Sequence, residues 1–430
     1  MRGIATAMQG KDRTDIMIYK VVRIIYFSVV MGLIVYAPIP FGSVLPDSIV
    51  WIECGCVVLL ICSLALYSRQ EFLEKPGLQI NLIIPIVALF IIAVFQIIPL
   101  PASFINAVSP QTLGIKQFAH NSYLTDVITW VGQKSNLSLQ GTDFFPENCL
   151  SLYPYASLYK LLFLAALGML WVSIILAVST KGEVRLLLAA VIISGLLQSL
   201  LYLLGYLRGK PLLSRLYGYE IEEIGGTFVN RDHYSAYLSM ILPVLAAWLF
   251  YYTQQVMKSH RRTSIARAVS MVQHKRGAIS FMTIMLILMA VGQLLSLSRA
   301  GIGSCLLSVG ILMYLFSRGT GRIKITTIVI LSMILIASLT YWIGYEPIIS
   351  KFKLIPNEWQ STLGRWTIWK DSIKIIKDYP VFGVGLSNYG AIFPHYKSFI
   401  GIKYLHAHND YLQFGIEMGV PGLILLVLVL

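Results

Sequence analysis

The sequence predicts an all-α, polytopic membrane bundle of about ten spans, with a mainly helical outer loop before the last one. Three observations carry this. Hydrophobic residues make up 57% of the chain and charged residues only 13%, with a mean hydropathy of +0.72; a soluble domain carries about twice that share of charge. Apolar stretches of about 20 residues recur, each long enough to cross roughly 30 Å of hydrocarbon as a helix. The basic residues gather in short flanks between those stretches, where they set orientation.

The spans fall near 19–39, 48–68, 78–99, 156–179, 186–207, 233–254, 279–297, 300–316, 325–345 and 410–430. In lipid the backbone must pair within each segment, so each is read as a helix. The first has a long apolar core and no small-residue cleavage site after it, unlike a removable signal. The formal net charge of +14 resides largely in the flanks. Gln255–Ala278 holds Lys258, Arg261, Arg262, Arg267, Lys275 and Arg276 with no acid, Ser317–Lys324 holds Arg318, Arg322 and Lys324, and the amino terminus holds Arg2, Lys11, Arg13 and Lys20. Placed in the cytoplasm, these flanks fit ten alternating spans and a cytoplasmic amino terminus. That distribution argues against nucleic acid as a partner. The five cysteines have neither zinc-ribbon nor disulfide-framework spacing.

The chain reads as one transmembrane domain, 1–430, with outer loops at 101–155, 208–232 and 346–409. In the third, Trp366, Trp369, Ile373 and Ile376 follow helical spacing, with Lys370, Lys374 and Lys377 on another face. This pattern predicts an interfacial amphipathic helix. Asp378-Tyr379-Pro380 should end it, and Gly383 and Gly385 should form turns. Between Glu346 and Asp410 eight Lys or Arg face five acids, an outer excess of positive charge that points to an anionic partner.

The sixth, eighth and tenth spans run from outside to inside, so their amino termini, with unpaired N–H groups and partial positive charge, face outward. In "GGTFVNRDHYSAYL" Asn230 can cap the sixth and Arg231 occupies its first turn; in "LSLSRAGIG" Ser298 can cap the eighth and Arg299 follows. In "YLHAHNDYLQFGIEMGVPG" a helix begun at His408 would place Gly415, Gly419 and Gly422 on its face, aiming the histidine into the bundle. Two arginines and a histidine at outward helix starts suit a diphosphate.

Two other readings compete. His406, His408 and Asp410 have the H-x-H-x-D spacing of metallo-hydrolases with the β-lactamase fold, but Tyr411 stands where that family's next histidine would be, and no soluble αββα sandwich is predicted. A multi-span solute transporter would place ionisable groups at the bilayer midplane, whereas here the polar residues concentrate at the outer surface.

These same motifs resemble the O-antigen ligase and O-antigen polymerase superfamily of bacterial envelope glycosyltransferases. His408-Asn409, nine residues, and Gly419-Val420-Pro421-Gly422 fit the ligase signature, with Leu423-Ile424 replacing its final threonines. "TFVNRDHYSAYL" and "LSLSRAG" resemble the family's two arginine motifs, with Asp232 where the family often has Asn. "GRWTIWKDSIKIIKDYPVFGVGLSNYG" resembles the segment before its histidine. The likeness spans about residues 155–430, and it implies further spans beyond Leu430.

The resemblance implies a glycan on a polyprenyl diphosphate as donor, a glycan or lipid acceptor such as a lipid A core, and transfer at the periplasmic face of the bacterial inner membrane without metal or other cofactor. Repeat-unit polymerisation would use the same site. Arg231 and Arg299 are expected to stabilise the leaving diphosphate, and His408 to accept the acceptor's proton or hold the diphosphate. His406, Arg365, Lys370, Tyr234 and Asn230 are expected to bind substrate, and membrane lipid to surround the spans.

Overall fold

A computed structural model of the chain describes residues 13–67, 80–118, 148–209, 225–260, 265–317, 364–400 and 403–429. Among them thirteen helices and no strand occur: α1 (Arg13–Tyr36), α2 (Pro46–Tyr67), α3 (Ile80–Phe95), α4 (Ala102–Val108), α5 (Pro110–Phe118), α6 (Pro154–Ala177), α7 (Lys181–Arg208), α8 (Arg231–His260), α9 (Ile265–Leu295), α10 (Arg299–Ser317), α11 (Arg365–Asp378), α12 (Tyr389–Tyr396) and α13 (Asp410–Val429). Every expected span within the described residues is a helix. Seven are long and apolar enough to cross a membrane, while α3 and α10 carry shorter apolar runs, Ile84–Phe95 and Arg299–Leu312. The span expected at 325–345, loop residues 119–147, 210–224 and 346–363, and Arg2, Lys11, Arg261, Arg262, Arg318, Arg322 and Lys324 lie outside the described residues. All five cysteines are free.

The chain divides into two compact units, Met1–Arg69 with Ser173–Lys353 and Gln70–Val172 with Leu354–Leu430. In the first, α8 packs against α7, α9 and α10. Tyr234, Leu238 and Ile241 of α8 meet Tyr202 of α7 and Met285 and Met289 of α9. The Tyr202 and Tyr234 rings stack 4.6 Å apart. Arg23 of α1 pairs with Glu183 of α7, whose carboxylate also completes a capping box with Thr180.

In the second unit α13 packs against α3 and α11. Its backbone breaks at Gly419 (φ 72°, ψ 179°), two residues before Pro421. Proline has no N–H, so Glu417 O loses its helical partner. The Val420 N–H donates instead to Pro380 O (2.8 Å), which frees Ile416 O as well. Both carbonyls are met from the segment after α11: Val384 N–H donates to Ile416 O (2.9 Å) and Gly385 N–H to Glu417 O (3.1 Å). Gln96 Nε2 adds a bond to Glu417 O (2.8 Å). Gly383 and Gly385 form the expected turns, at φ 66° and 100°. A Cβ on Gly383 would stand 2.5 Å from Ile416 O.

Helix α11 ends at Asp378 with Tyr379 as its C-cap, as the proline after it predicts. Its protein-facing side is not the Trp–Ile stripe named in the sequence. Ile368, Asp371, Ser372 and Ile375 point inward, Trp369 and Ile376 pack beside them, and Trp366 and Ile373 are 56% and 47% exposed. Polar residues occupy the inner face because each finds a partner there. Ser372 Oγ lies 2.9 Å from Tyr389 Oη, and Asp371 accepts from Ser398 (2.7 Å from N, 2.8 Å from Oγ) and from Lys374 Nζ (2.7 Å).

Gly419 sits in a backbone region open to glycine alone, and a Cβ there would overlap Val381 O. Gly419→Ala should therefore destabilise the protein by at least about 1–3 kcal/mol from backbone strain, lowering its thermal midpoint in detergent. Gly303→Ala, where a Cβ meets nothing within 4 Å, should leave the midpoint unchanged or raise it.

Candidate functional site

Arg231 and Arg299 open two helices of the first unit. The turn before α8 is fixed by Gly226 at φ 67° and by Thr227, which donates its N–H to Gln198 Oε1 (3.2 Å) and sets its hydroxyl on Pro38 O. Asn230 Oδ1 then accepts from Asp232 N–H (2.7 Å), so Asn230 is the cap and Arg231 the first helical residue. The short turn between α9 and α10 carries Leu297 at φ 54°, and Ser298 Oγ accepts from Gly301 N–H (3.4 Å), again with arginine next.

These two helix starts lie side by side. A Cβ on Gly301 would overlap Ser235 Oγ, one turn into α8, so the close approach needs glycine. Ser239 Oγ lies 3.0 Å from Gly301 O and accepts from Gln293 Nε2 (2.9 Å), tying α8, α9 and α10 together just inside the arginines. Arg231 and Arg299 are both half-buried, and the contact of Gly301 with Ser235 brings their two helix starts together. Tyr234 lies just below, with its ring wholly enclosed, stacked on Tyr202 of α7, and its hydroxyl 2.5 Å from a Cβ on Gly292 of α9.

His406, His408, Arg365 and Lys370 belong to the second unit. The third helix start is capped as well, by Asn409 Oδ1 accepting from Leu412 N–H (3.1 Å). This corrects the helical register. Helix α13 begins at Asp410 and not at His408, which lies outside it at φ 53°. The break at Gly419 also removes the continuous glycine face inferred from the sequence. His408 and His406 are both exposed, on either side of a buried Ala407, and the His408 ring stands edge-on to Tyr404 at 6.0 Å.

Ala407 is held at both ends: Trp369 Nε1 donates to its carbonyl (3.0 Å) and its N–H donates to Gln413 Oε1 (3.2 Å). Arg365 and Lys370 are exposed on α11. Among the described residues no three His, Cys, Asp or Glu side chains gather within reach of one ion.

The sequence reading missed Glu417. It is 5% exposed in the middle of α13 and accepts from Ser387 N–H (2.8 Å), Tyr389 N–H (3.4 Å) and Gln413 Nε2 (2.9 Å). It thereby meets orphan donors at the start of α12. Nearby, Asn388 Nδ2 donates to Ser151 Oγ (2.8 Å) and Val384 O (2.9 Å). The signal was a lone carboxylate inside an apolar run.

A helical membrane protein with capped, arginine-bearing helix starts is the class this fold and these residues define. Residues 284–427 match the family model described as O-Antigen ligase, and this partial match supports the O-antigen ligase superfamily and an enzyme of membrane-glycosyltransferase type. The match includes Arg299, Arg365, Lys370, His406 and His408 and begins after Arg231. No curated protein and no solved structure matches the chain.

Asp371 anchors the segment that leads to the histidine turn. Burial would raise its carboxyl, but Lys374 and the N–H and hydroxyl of Ser398 outweigh burial and hold it below the ordinary range. Its folded pKa thus lies below the unfolded value of about 3.9, so its contribution is full above that value and is lost as pH falls through the folded pKa. Asp371→Asn should be less stable at neutral pH and should lose that acid dependence below about pH 4, read by tryptophan fluorescence during acid unfolding.

Proposed function

We propose that this protein moves a glycan from a polyprenyl-diphosphate carrier to an acceptor hydroxyl at the periplasmic face of the bacterial inner membrane. The observation that carries this reading is the paired, capped starts of α8 and α10, each opening with a half-buried arginine. The family match supports the lipid-linked glycan as substrate class. Under the orientation read from the basic flanks, the starts of α8, α10 and α13 face outward.

The acceptor oxygen attacks the anomeric carbon, a new C–O bond forms, and the bond from that carbon to the diphosphate oxygen breaks. The hydroxyl proton passes to a base and the lipid diphosphate leaves as an anion. Charge grows on the leaving group, so preorganised cations there lower the barrier. Arg231 and Arg299 take that role, helped by the N–H groups of their helix starts. His408 accepts the proton or holds the diphosphate. Arg365, Lys370 and His406 supply exposed cationic or polar groups for the glycan and its phosphates, and Asn230 acts by fixing the start of α8. Tyr234 contributes through packing.

Supplied with lipid-linked glycan and acceptor in liposomes, the wild-type protein should yield a glycosylated acceptor identified by mass. Arg231→Ala, Arg299→Ala and His408→Ala should each lower the rate by about 100-fold or more with membrane insertion unchanged, and Lys at either arginine should recover little, since it lacks the bidentate fork. Full activity in any one variant removes that residue from the mechanism. EDTA should leave the rate unchanged; loss restored by zinc would assign His406, His408 and Asp410 to a metal instead. Solute uptake without lipid-linked glycan would identify a carrier.

A further inference from the structure

Glu417 is a buried carboxylate to which the mechanism above gives no part. It lies one turn inside Gln413, which in turn lies one turn inside the histidine segment. Gln413 Nε2 donates to Glu417 Oε1 (2.9 Å), and Gln413 Oε1 accepts from Ala407 N–H (3.2 Å). The amide has one orientation compatible with both partners. A backbone N–H only donates, so it faces oxygen; a carboxylate with three N–H neighbours only accepts, so it faces nitrogen. The carboxylate is itself pinned by Ser387 N–H and Tyr389 N–H at the start of α12.

The same amide nitrogen lies 3.4 Å from His406 Nδ1, the long end of a hydrogen bond. An NH2 group facing that ring nitrogen requires the nitrogen to accept. In the neutral ring the proton then sits on Nε2.

We propose that Glu417 and Gln413 are positioning residues for glycan transfer. Glu417 orients the Gln413 amide; Gln413 fixes Ala407 between the two histidines and selects the His406 tautomer that carries its proton on Nε2. The left-handed backbone of His408 is then held from both sides of the turn, by Gln413 on the N–H of Ala407 and by Trp369 on its carbonyl. Glu417 thus links the start of α12 to the residue pair that meets substrate. The catalytic purpose assigned to this link rests on the glycan-transfer reading; the geometry of the link does not.

The test uses the full chain in detergent, labelled with 15N-histidine and observed by NMR near pH 8, where imidazole is neutral, with the His406 signal assigned through His406→Gln. In the wild type, Nδ1 should show the unprotonated shift and Nε2 the protonated one. Gln413→Leu should abolish that preference and lower kcat/KM for lipid-linked glycan by about 10- to 100-fold, with the thermal midpoint little changed. Glu417→Gln should do the same, and the double variant should be no slower than the slower single variant, since both act through one link.

Should Glu417→Gln fail to fold, the Gln413→Leu variant, which leaves the α12 start intact, still decides the matter. A wild-type His406 protonated on Nδ1, or Gln413→Leu with unchanged tautomer and rate, or rate losses that simply multiply, overturns the proposal. A wild type that shows the tautomer but moves no glycan overturns the glycan-transfer reading, and with it the purpose given to Glu417.

Discussion

The second unit depends on one interruption, the break in α13 between Gly419 and Pro421. It strips the helical partners from Ile416 O and Glu417 O, and each buried carbonyl left unpaired would be unfavourable by about 1–3 kcal/mol. The segment 380–388 supplies the missing donors, with Gln96 from the end of α3 adding another. Two glycine turns are needed for that segment to approach so closely. The break therefore fixes the loop, the loop fixes the start of α12, and Glu417, just before the break, joins α12 to the histidine turn. The motif that ends in Gly419-Val420-Pro421-Gly422 is thus, in the fold, the joint that ties α13 to the segment before α12.

The first unit solves a different problem. Arginine near hydrocarbon is unfavourable, by about 2.5–3.5 kcal/mol at a helix centre and less at an end. Arg231 and Arg299 occupy ends, each directly after a capping side chain, on helices brought close by Gly301 against Ser235. Helix ends add partial positive charge beside the guanidinium groups. The two arginines thus stand where their burial is less unfavourable than at a helix centre.

Much of this was legible in the sequence. Apolar length located the spans, because lipid allows few backbone solutions, and Asn230 and Ser298 were readable as caps because their residue types compete for orphan N–H groups. Three features were not. His408 was placed in the helix because its glycine spacing assumes an unbroken helix from that residue, whereas Asn409 caps two residues later than assumed and Gly419 leaves helical geometry. The protein-facing side of α11 was not legible because Asp371 and Ser372 count as outward-facing in any hydrophobic pattern; their partners, Ser398 and Tyr389, come from later in the chain. Glu417 was overlooked because its partners include Ser387 and Tyr389, backbone donors in a distant loop that no local pattern reports.

The central claim is the proposed transfer itself, in which a glycan leaves its lipid diphosphate as it joins an acceptor. The most direct measurement follows a defined lipid-linked glycan in liposomes containing the purified protein, counting free polyprenyl diphosphate and glycosylated acceptor in the same samples over time. The account predicts that the two appear together in equal amounts, and only when acceptor is present. Glycosylated acceptor formed without release of lipid diphosphate, or glycan crossing the bilayer with its carrier intact, would contradict it.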